Sequence, residues 1–273
     1  MGKYQDITGN IPWSYLGRET IALRLGKSIL PVGILPFQPI PIEDDKMPGI
    51  SIREKGAEQY LMNIVGTAIQ AGDGKLVTCG HVVEALIEQK ANGYILSRII
   101  REGTVAYVPY PIVKALRYVD PRTDAVNNDV DLSVLLVPAK STENIPYEAP
   151  NVDWGDSSKL GVGDPVLVCG YPHGTEMFKF TQSNRGIIQP TFYQGIVSAI
   201  LPATKPYETR IIQISIPSAG SMSGGAMFDP QTGKVMGMVT SCVHMNGIPQ
   251  PMSYAIPSEI IAPYVEVITF TTK

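Results

Sequence analysis

The chain has 273 residues, 44% hydrophobic and only 17% charged, which excludes an intrinsically disordered polypeptide. Its net charge is −3 and no Lys/Arg cluster stands out, so nothing argues for nucleic acid or an anionic membrane as a partner. No apolar run approaches the roughly 18 residues of a membrane helix, and MGKYQDITGNIPWSYLGRE lacks a signal-like apolar core, so a cytoplasmic protein is expected.

Residues 1–57 carry Pro31, Pro36, Pro39 and Pro41 and little clear period. They are expected to form an N-terminal arm, laid over the body or used for a regulatory partner or homo-oligomer. After it come short apolar runs separated by Gly and Pro, the punctuation of an all-β chain. Predicted strands are Tyr60–Gln70, Lys75–Thr78, Gly93–Ile100, Thr104–Tyr110 and Leu132–Val137, then Pro165–Gly170, Phe192–Leu201, Ile211–Ile216, Lys234–Thr240 and Met252–Ile256. Many are rich in Val, Ile and Tyr, which suit a pleated surface. Short helices are predicted at Val82–Gln89 and Ser258–Val267. Prolines 138, 146 and 150 among polar residues mark a linker at 141–155. It divides a first half, 58–140, from a second, 156–273. Cys79, Cys169 and Cys242 are too few, and odd in number, for a disulfide scaffold.

Three stretches carry chemistry. Ser218-Ala-Gly-Ser-Met-Ser-Gly-Gly-Ala226 leads into an apolar strand start. A nucleophilic serine needs a tight turn that exposes its Oγ and aims backbone N–H groups at a developing oxyanion, and Gly224 and Gly225 allow one. A Gly/Ser-rich surface loop is the competing explanation. His81 follows the strand-like Lys75-Leu-Val-Thr-Cys-Gly80, a rigid mount for a base. His173 falls in a turn and His244 in a loop. Asp131 is the last charge before Leu132-Ser-Val-Leu-Leu-Val137, where a half-buried carboxylate can orient an imidazole. Asp129 is the rival carboxylate, on the same face but further from the strand. No CxxC, HxxxH or phosphate-loop spacing occurs, so neither a metal nor another cofactor is expected.

The order His, Asp, Ser is that of chymotrypsin-fold peptidases. More closely, the chain resembles the HtrA/Deg group of serine proteases. The resemblance lies in Asn63-Ile-Val-Gly-Thr-Ala-Ile-Gln70 with Lys75-Leu-Val-Thr-Cys-Gly-His-Val-Val83, and in Asp131-Leu-Ser-Val-Leu-Leu-Val137. It continues in Trp154-Gly-Asp-Ser-Ser-Lys-Leu-Gly-Val-Gly-Asp-Pro-Val-Leu-Val-Cys-Gly-Tyr-Pro-His-Gly174, in Gly195-Ile-Val-Ser-Ala-Ile200 and Ile211-Ile-Gln-Ile214, and in Ser223-Gly-Gly-Ala226. Val235-Met-Gly-Met-Val239 and Ser253-Tyr-Ala-Ile-Pro-Ser258 complete it.

The resemblance implies an all-β, chymotrypsin-like pair of six-stranded antiparallel barrels with a short C-terminal helix. It implies a serine endopeptidase with His81, Asp131 and Ser223 as catalytic triad and the N–H groups of Ser221 and Ser223 as oxyanion hole. Protein or peptide substrates would pair with Thr240, Ser241 and Cys242. The base of the specificity pocket falls near Pro217, where no acid stands, which implies an apolar side chain before the cleaved bond. No PDZ-like match follows, so the regulation and tethering of that group do not carry over. The family has glycine where this chain has Ser221. A serine there resists positive φ and leaves open a flipped peptide and an unformed hole at rest. The alternative is a dormant or partner-activated homologue that binds peptides or proteins.

Overall fold

A computed structural model describes residues 26–35, 50–53, 59–89, 92–101, 104–120, 125–127, 130–174, 189–201, 210–217, 219–245 and 248–269. The first half contains β1 (Ile29–Leu35), β2 (Ile50–Arg53), β3 (Gln59–Gly72) and β4 (Lys75–Thr78), then helix α1 (Gly80–Glu88). It continues with β5 (Asn92–Arg101), β6 (Thr104–Pro111), β7 (Lys114–Arg117), β8 (Val119–Asp120), β9 (Ala125–Val126) and β10 (Ser133–Leu136). The second half contains β11 (Pro165–Gly170), β12 (Thr191–Leu201), β13 (Ile211–Ile214), β14 (Ala226–Phe228), β15 (Val235–Met245) and β16 (Ile248–Pro257). Helix α2 (Ser258–Val267) follows.

The first half is an antiparallel sheet in the order β6-β5-β1-β3-β4-β10-β7, with β2 beside β3, and a separate two-stranded sheet of β8 and β9. This path starts and ends on strands that are consecutive in the chain. Between β6 and β7, the Ile112 N–H donates to Gly93 O of β5 and the Val113 N–H to Leu136 O of β10, each at 2.9 Å. Two residues thus hand one long strand from one wall to the other. The sheet curls into a barrel of six positions: β1, β3, β4, β10, β7 with β6, and β5. The second half closes directly, as β11-β12-β13-β16-β15-β14. The chymotrypsin-like double barrel is the observed fold.

The expected arm over 1–57 is corrected at residues 29–35. Here β1 lies between β3 and β5, and Ile29, Leu30, Val32 and Ile34 are buried in the core. Pro31 obscured this strand, because proline cannot donate to a ladder. It pairs with Thr67 of β3, whereas pairing with β5 begins only at Val32. Its missing N–H therefore breaks no bond on the β5 side.

The halves are joined in three ways. Segment 141–155, expected as a linker, runs along the body: Tyr147 Oη donates to Gln70 Oε1 at 2.6 Å, and Val152 N–H to Gln70 O at 3.0 Å. One hydrophobic cluster spans both barrels, from Ile29 and Leu76 to Phe228, Ile256 and Ile261. Helix α2 leaves the second barrel and returns to the first. There Lys75 Nζ donates to Val265 O at 3.3 Å and Ile268 O at 3.2 Å, a cation at the negative end of the helix. Ile29 tests the role of β1. Ile29→Ala is expected to lower stability by about 2–5 kcal/mol, read as a lower urea midpoint at unchanged m value. A loss below about 0.5 kcal/mol would mean that β1 is an accessory strand.

Candidate active site

His81 stands in the first turn of α1, immediately after β4. This helix has no acidic residue in its first turn, and Cys79 at its N-cap makes no side-chain cap bond. Asp131 supplies the anion instead. Its Oδ1 accepts the His81 backbone N–H at 2.9 Å, and its Oδ2 meets His81 Nδ1 at 2.7 Å. One carboxylate therefore caps the helix and orients the ring that the helix carries. The Oδ2–Nδ1 contact favours the tautomer protonated at Nδ1, leaving Nε2 as base.

Asp131 has a third donor, the Thr240 hydroxyl on Oδ2. Thr240 lies in β15, where Val239 pairs with Ala255 and Ser241 with Tyr254. Two steps along β15 match one along β16, so Thr240 is the extra residue of a β-bulge. Bulges re-aim side chains next to active sites; here the bulge turns Thr240 towards Asp131, across the barrel seam.

Charge follows this geometry. Burial pushes the Asp131 carboxyl up, but hydrogen bonds from His81 and Thr240 outweigh it and hold it below the usual carboxylate range. His81 is raised above an ordinary imidazole, chiefly by its hydrogen bond to Asp131; burial opposes this and Glu84 adds to it. The stabilisation from raised His81 is full below the unfolded imidazole value and is lost as pH rises through the folded one. That from lowered Asp131 is present above the unfolded carboxyl value and is lost as pH falls through the folded one. The pair contributes most between those limits.

Ser223 sits in the turn before β14. Thr67 N–H donates to Ser223 O at 2.9 Å, and Gly224 N–H to Val239 O at 2.8 Å. Gly224 has φ of +89°, and a Cβ there would lie 1.8 Å from Thr67 O, so only glycine fits. The Ser223 hydroxyl donates to Thr240 O at 3.1 Å. Among the described residues it has no bond to His81. Thr240 thus holds the acid with its side chain and the serine with its carbonyl.

Ser221 takes a φ of +69°, the left-handed region that costs a non-glycine residue about 1–2 kcal/mol. The expected resistance to positive φ is overcome. The Gly220 carbonyl accepts the His173 N–H at 2.6 Å, and across the trans peptide the Ser221 N–H points the opposite way. The Ser221 hydroxyl is engaged by Ile64 O at 3.1 Å.

The remaining sequence-derived residues are placed as follows. Pro217 is exposed just beyond β13. Ser241 is exposed on β15; Cys242 pairs with Ser253, and its side chain lies outside the described residues. His173 is exposed in a turn, as expected, at φ of +57°. His244 belongs to β15, opposite Pro249, rather than to a loop. Asp129 lies outside the described residues. Cys79, His81 and Asp131 place potential metal-ligand atoms within 4.8 Å of one another. Burial first, then the Asp131 charge, pushes the Cys79 thiol well up, and its Sγ donates to Val239 O at 3.3 Å. A protonated thiol facing a carbonyl is a poor metal ligand.

The family model described as trypsin-like peptidase domain matches residues 66–238. The chain belongs to the trypsin-like peptidase family. Its domain is similar to those of HtrA-type serine proteases. It is 32% identical over 190 residues to a protein named probable periplasmic serine endoprotease DegP-like, from Bartonella henselae. That match covers 69% of this chain but only 30% of the relative. Two solved structures share the fold. The HtrA-type protease AlgW with a decapeptide has a TM-score of 0.57 at 20% identity, covering 92% of this chain and 68% of that one. The Rv3671c protease of M. tuberculosis H37Rv, inactive form, has a TM-score of 0.53 at 16% identity, covering 97% of this chain and all of that one.

Imidazole NMR tests the His81–Asp131 pair. His81 is expected to titrate above the ordinary value of about 6.5, and Asp131→Asn is expected to bring it down. An unchanged midpoint in Asp131→Asn would remove the carboxylate as the cause.

Proposed function

We propose that this protein is a serine endopeptidase that works through a Ser223 acyl-enzyme. The observation that carries the proposal is Thr240. It joins Asp131, already bonded to His81, to Ser223, and so draws all three residues to one point of the barrel seam.

In the reaction, Ser223 Oγ turns about χ1 from Thr240 O towards His81. His81 Nε2 takes its proton as Oγ bonds to the substrate carbonyl carbon. The N–H groups of Ser221 and Ser223 receive the oxyanion. Collapse breaks the C–N bond, and His81 gives its proton to the leaving amine. Water then repeats the sequence on the ester. Asp131 keeps Nδ1–H in place and stabilises the imidazolium between proton transfers.

The substrate is a peptide in extended form. Ser241, exposed on β15, offers backbone for strand addition, with Cys242 beyond it. AlgW was solved with a decapeptide, which supports a peptide ligand for a domain of this fold. No acid stands at Pro217, so an apolar side chain is preferred before the cleaved bond.

Ser223→Ala is expected to lower turnover on the order of 10³-fold or more and to abolish fluorophosphonate labelling. Retained labelling in that variant would reject Ser223 as nucleophile. A peptide panel is expected to favour apolar residues before the cleaved bond; strict cleavage after Arg or Lys would reject the pocket assignment. The acidic limb of kcat/KM is expected above pH of about 6.5, since raised His81 must lose its proton to act as base.

A further inference from the structure

Ser221 carries the strain of the site and also its densest contact with the first barrel. Its φ is +69°, and His173 and Gly174 in the facing turn are positive as well, at +57° and +49°. The Ser221 hydroxyl donates to Ile64 O at 3.1 Å, and the Ser221 carbonyl accepts the Thr67 hydroxyl at 2.8 Å. Both partners lie on β3, across the seam. The Gly220 carbonyl is held by the His173 N–H at 2.6 Å. The peptide planes on both sides of Ser221 are thus pinned by their carbonyls, which determines the rotation between them.

Thr67 is placed so that its hydroxyl proton serves the bond to Ser221 O. It has no solvent exposure. Its Oγ1 accepts the Tyr171 N–H at 3.1 Å, leaving the hydroxyl proton for Ser221 O. Turning the Ser221–Met222 peptide would strand that buried proton without an acceptor, which is costly. The room is also prepared. β3 carries a bulge at Val65, since Val32 pairs with Gly66 and Gly33 with Ile64. A Cβ on Gly174 would lie 2.4 Å from Ile64 O and 2.8 Å from Ser221 Oγ.

We propose that Thr67 is a positioning residue for the oxyanion hole, and that the Thr67 and Ser221 hydroxyls form a two-bond lock between the barrels that, together with the His173 N–H on Gly220 O, holds the Ser221 N–H in its catalytic direction. The lock replaces, by hydrogen bonding, the conformational freedom that glycine has at this position. It rests on Ser223 being the nucleophile only for its catalytic consequence, not for its existence.

Crystal structures and kinetics of Thr67→Val, Thr67→Ser, Ser221→Ala and Ser221→Gly test it. Thr67→Val and Ser221→Ala are expected to move residue 221 out of positive φ. Both are expected to lower kcat about 10- to 100-fold, with KM changing less than about threefold, as for a lost transition-state donor. Thr67→Ser is expected to regain positive φ and most of kcat. Ser221→Gly, free to enter that region, is expected to stay at least about tenfold more active than Ser221→Ala. Positive φ at residue 221 in both Thr67→Val and Ser221→Ala overturns the lock whatever the kinetics. Wild-type protein without turnover, or active Ser223→Ala, would instead defeat the nucleophile assignment, and the φ values would still decide the lock.

Discussion

The carboxylate of Asp131 is the point on which the site depends. It accepts from the second backbone N–H after the α1 cap, from the imidazole on the same residue, and from a hydroxyl of the other barrel. A partly buried carboxylate is costly to leave unpaired, so these donors secure each other. Capping α1 fixes where the ring begins, the Nδ1 bond fixes how it turns, and Thr240 brings β15 into range. The charge also acts behind the site, where it helps to keep Cys79 a neutral thiol against Val239 O. A residue of the wrong charge or length at position 131 would disturb helix, tautomer and interface together.

The same seam carries the opposite kind of feature, stored strain. Gly224 meets Thr67 O so closely that no side chain fits, and Ser221 occupies a region that serine avoids. Backbone outliers persist only where surrounding structure over-determines them. Here β3 does so. It donates Thr67 N–H to Ser223 O and Thr67 Oγ1 to Ser221 O, and it offers Ile64 O to Ser221 Oγ. The Ser223 turn belongs by sequence to the second barrel, yet its conformation is held by the first. Docking of the barrels and assembly of the site are therefore one event.

Much of this was legible in the sequence because it is local. Alternating and β-branched runs marked the long strands, and Pro257 before Ser258–Val267 marked where β16 gives way to α2. His81 and Asp131 announced themselves by their positions beside a strand. What escaped is set by distant partners. Pro31 masked β1, whose place between β3 and β5 follows from the register of strands far along the chain. Thr240 read as a substrate contact, because nothing local reveals a bulge in β15 that aims its hydroxyl at Asp131. Thr67 offered no signal at all. It is a threonine in a strand, an ordinary residue there, and only the folded chain puts Ser221 O within its reach. His244 looked like a loop residue, although the Asn-Gly pair at 246–247 is a hairpin signal in the sequence, and β15 and β16 pair as far as Met245 and Ile248.

The resting position of Ser223 bears on how far this structure stands from a working enzyme. Its hydroxyl donates to Thr240 O rather than to His81. A net hydrogen bond contributes about 1 kcal/mol, which is less than a tenfold change in population. Turning one χ1 between staggered wells is a matter of picoseconds to nanoseconds for an accessible side chain. Substrate binding easily offsets a difference of that size. A turned Gly220–Ser221 peptide is another matter, because in the proposed mechanism it removes an oxyanion donor worth roughly 3–4 kcal/mol at the transition state. It also breaks the bond from the His173 N–H to Gly220 O. The two departures from a reactive arrangement therefore differ in rank. The parked hydroxyl is a small local preference, while in the proposed mechanism the direction of the Ser221 N–H is the variable on which catalytic competence turns.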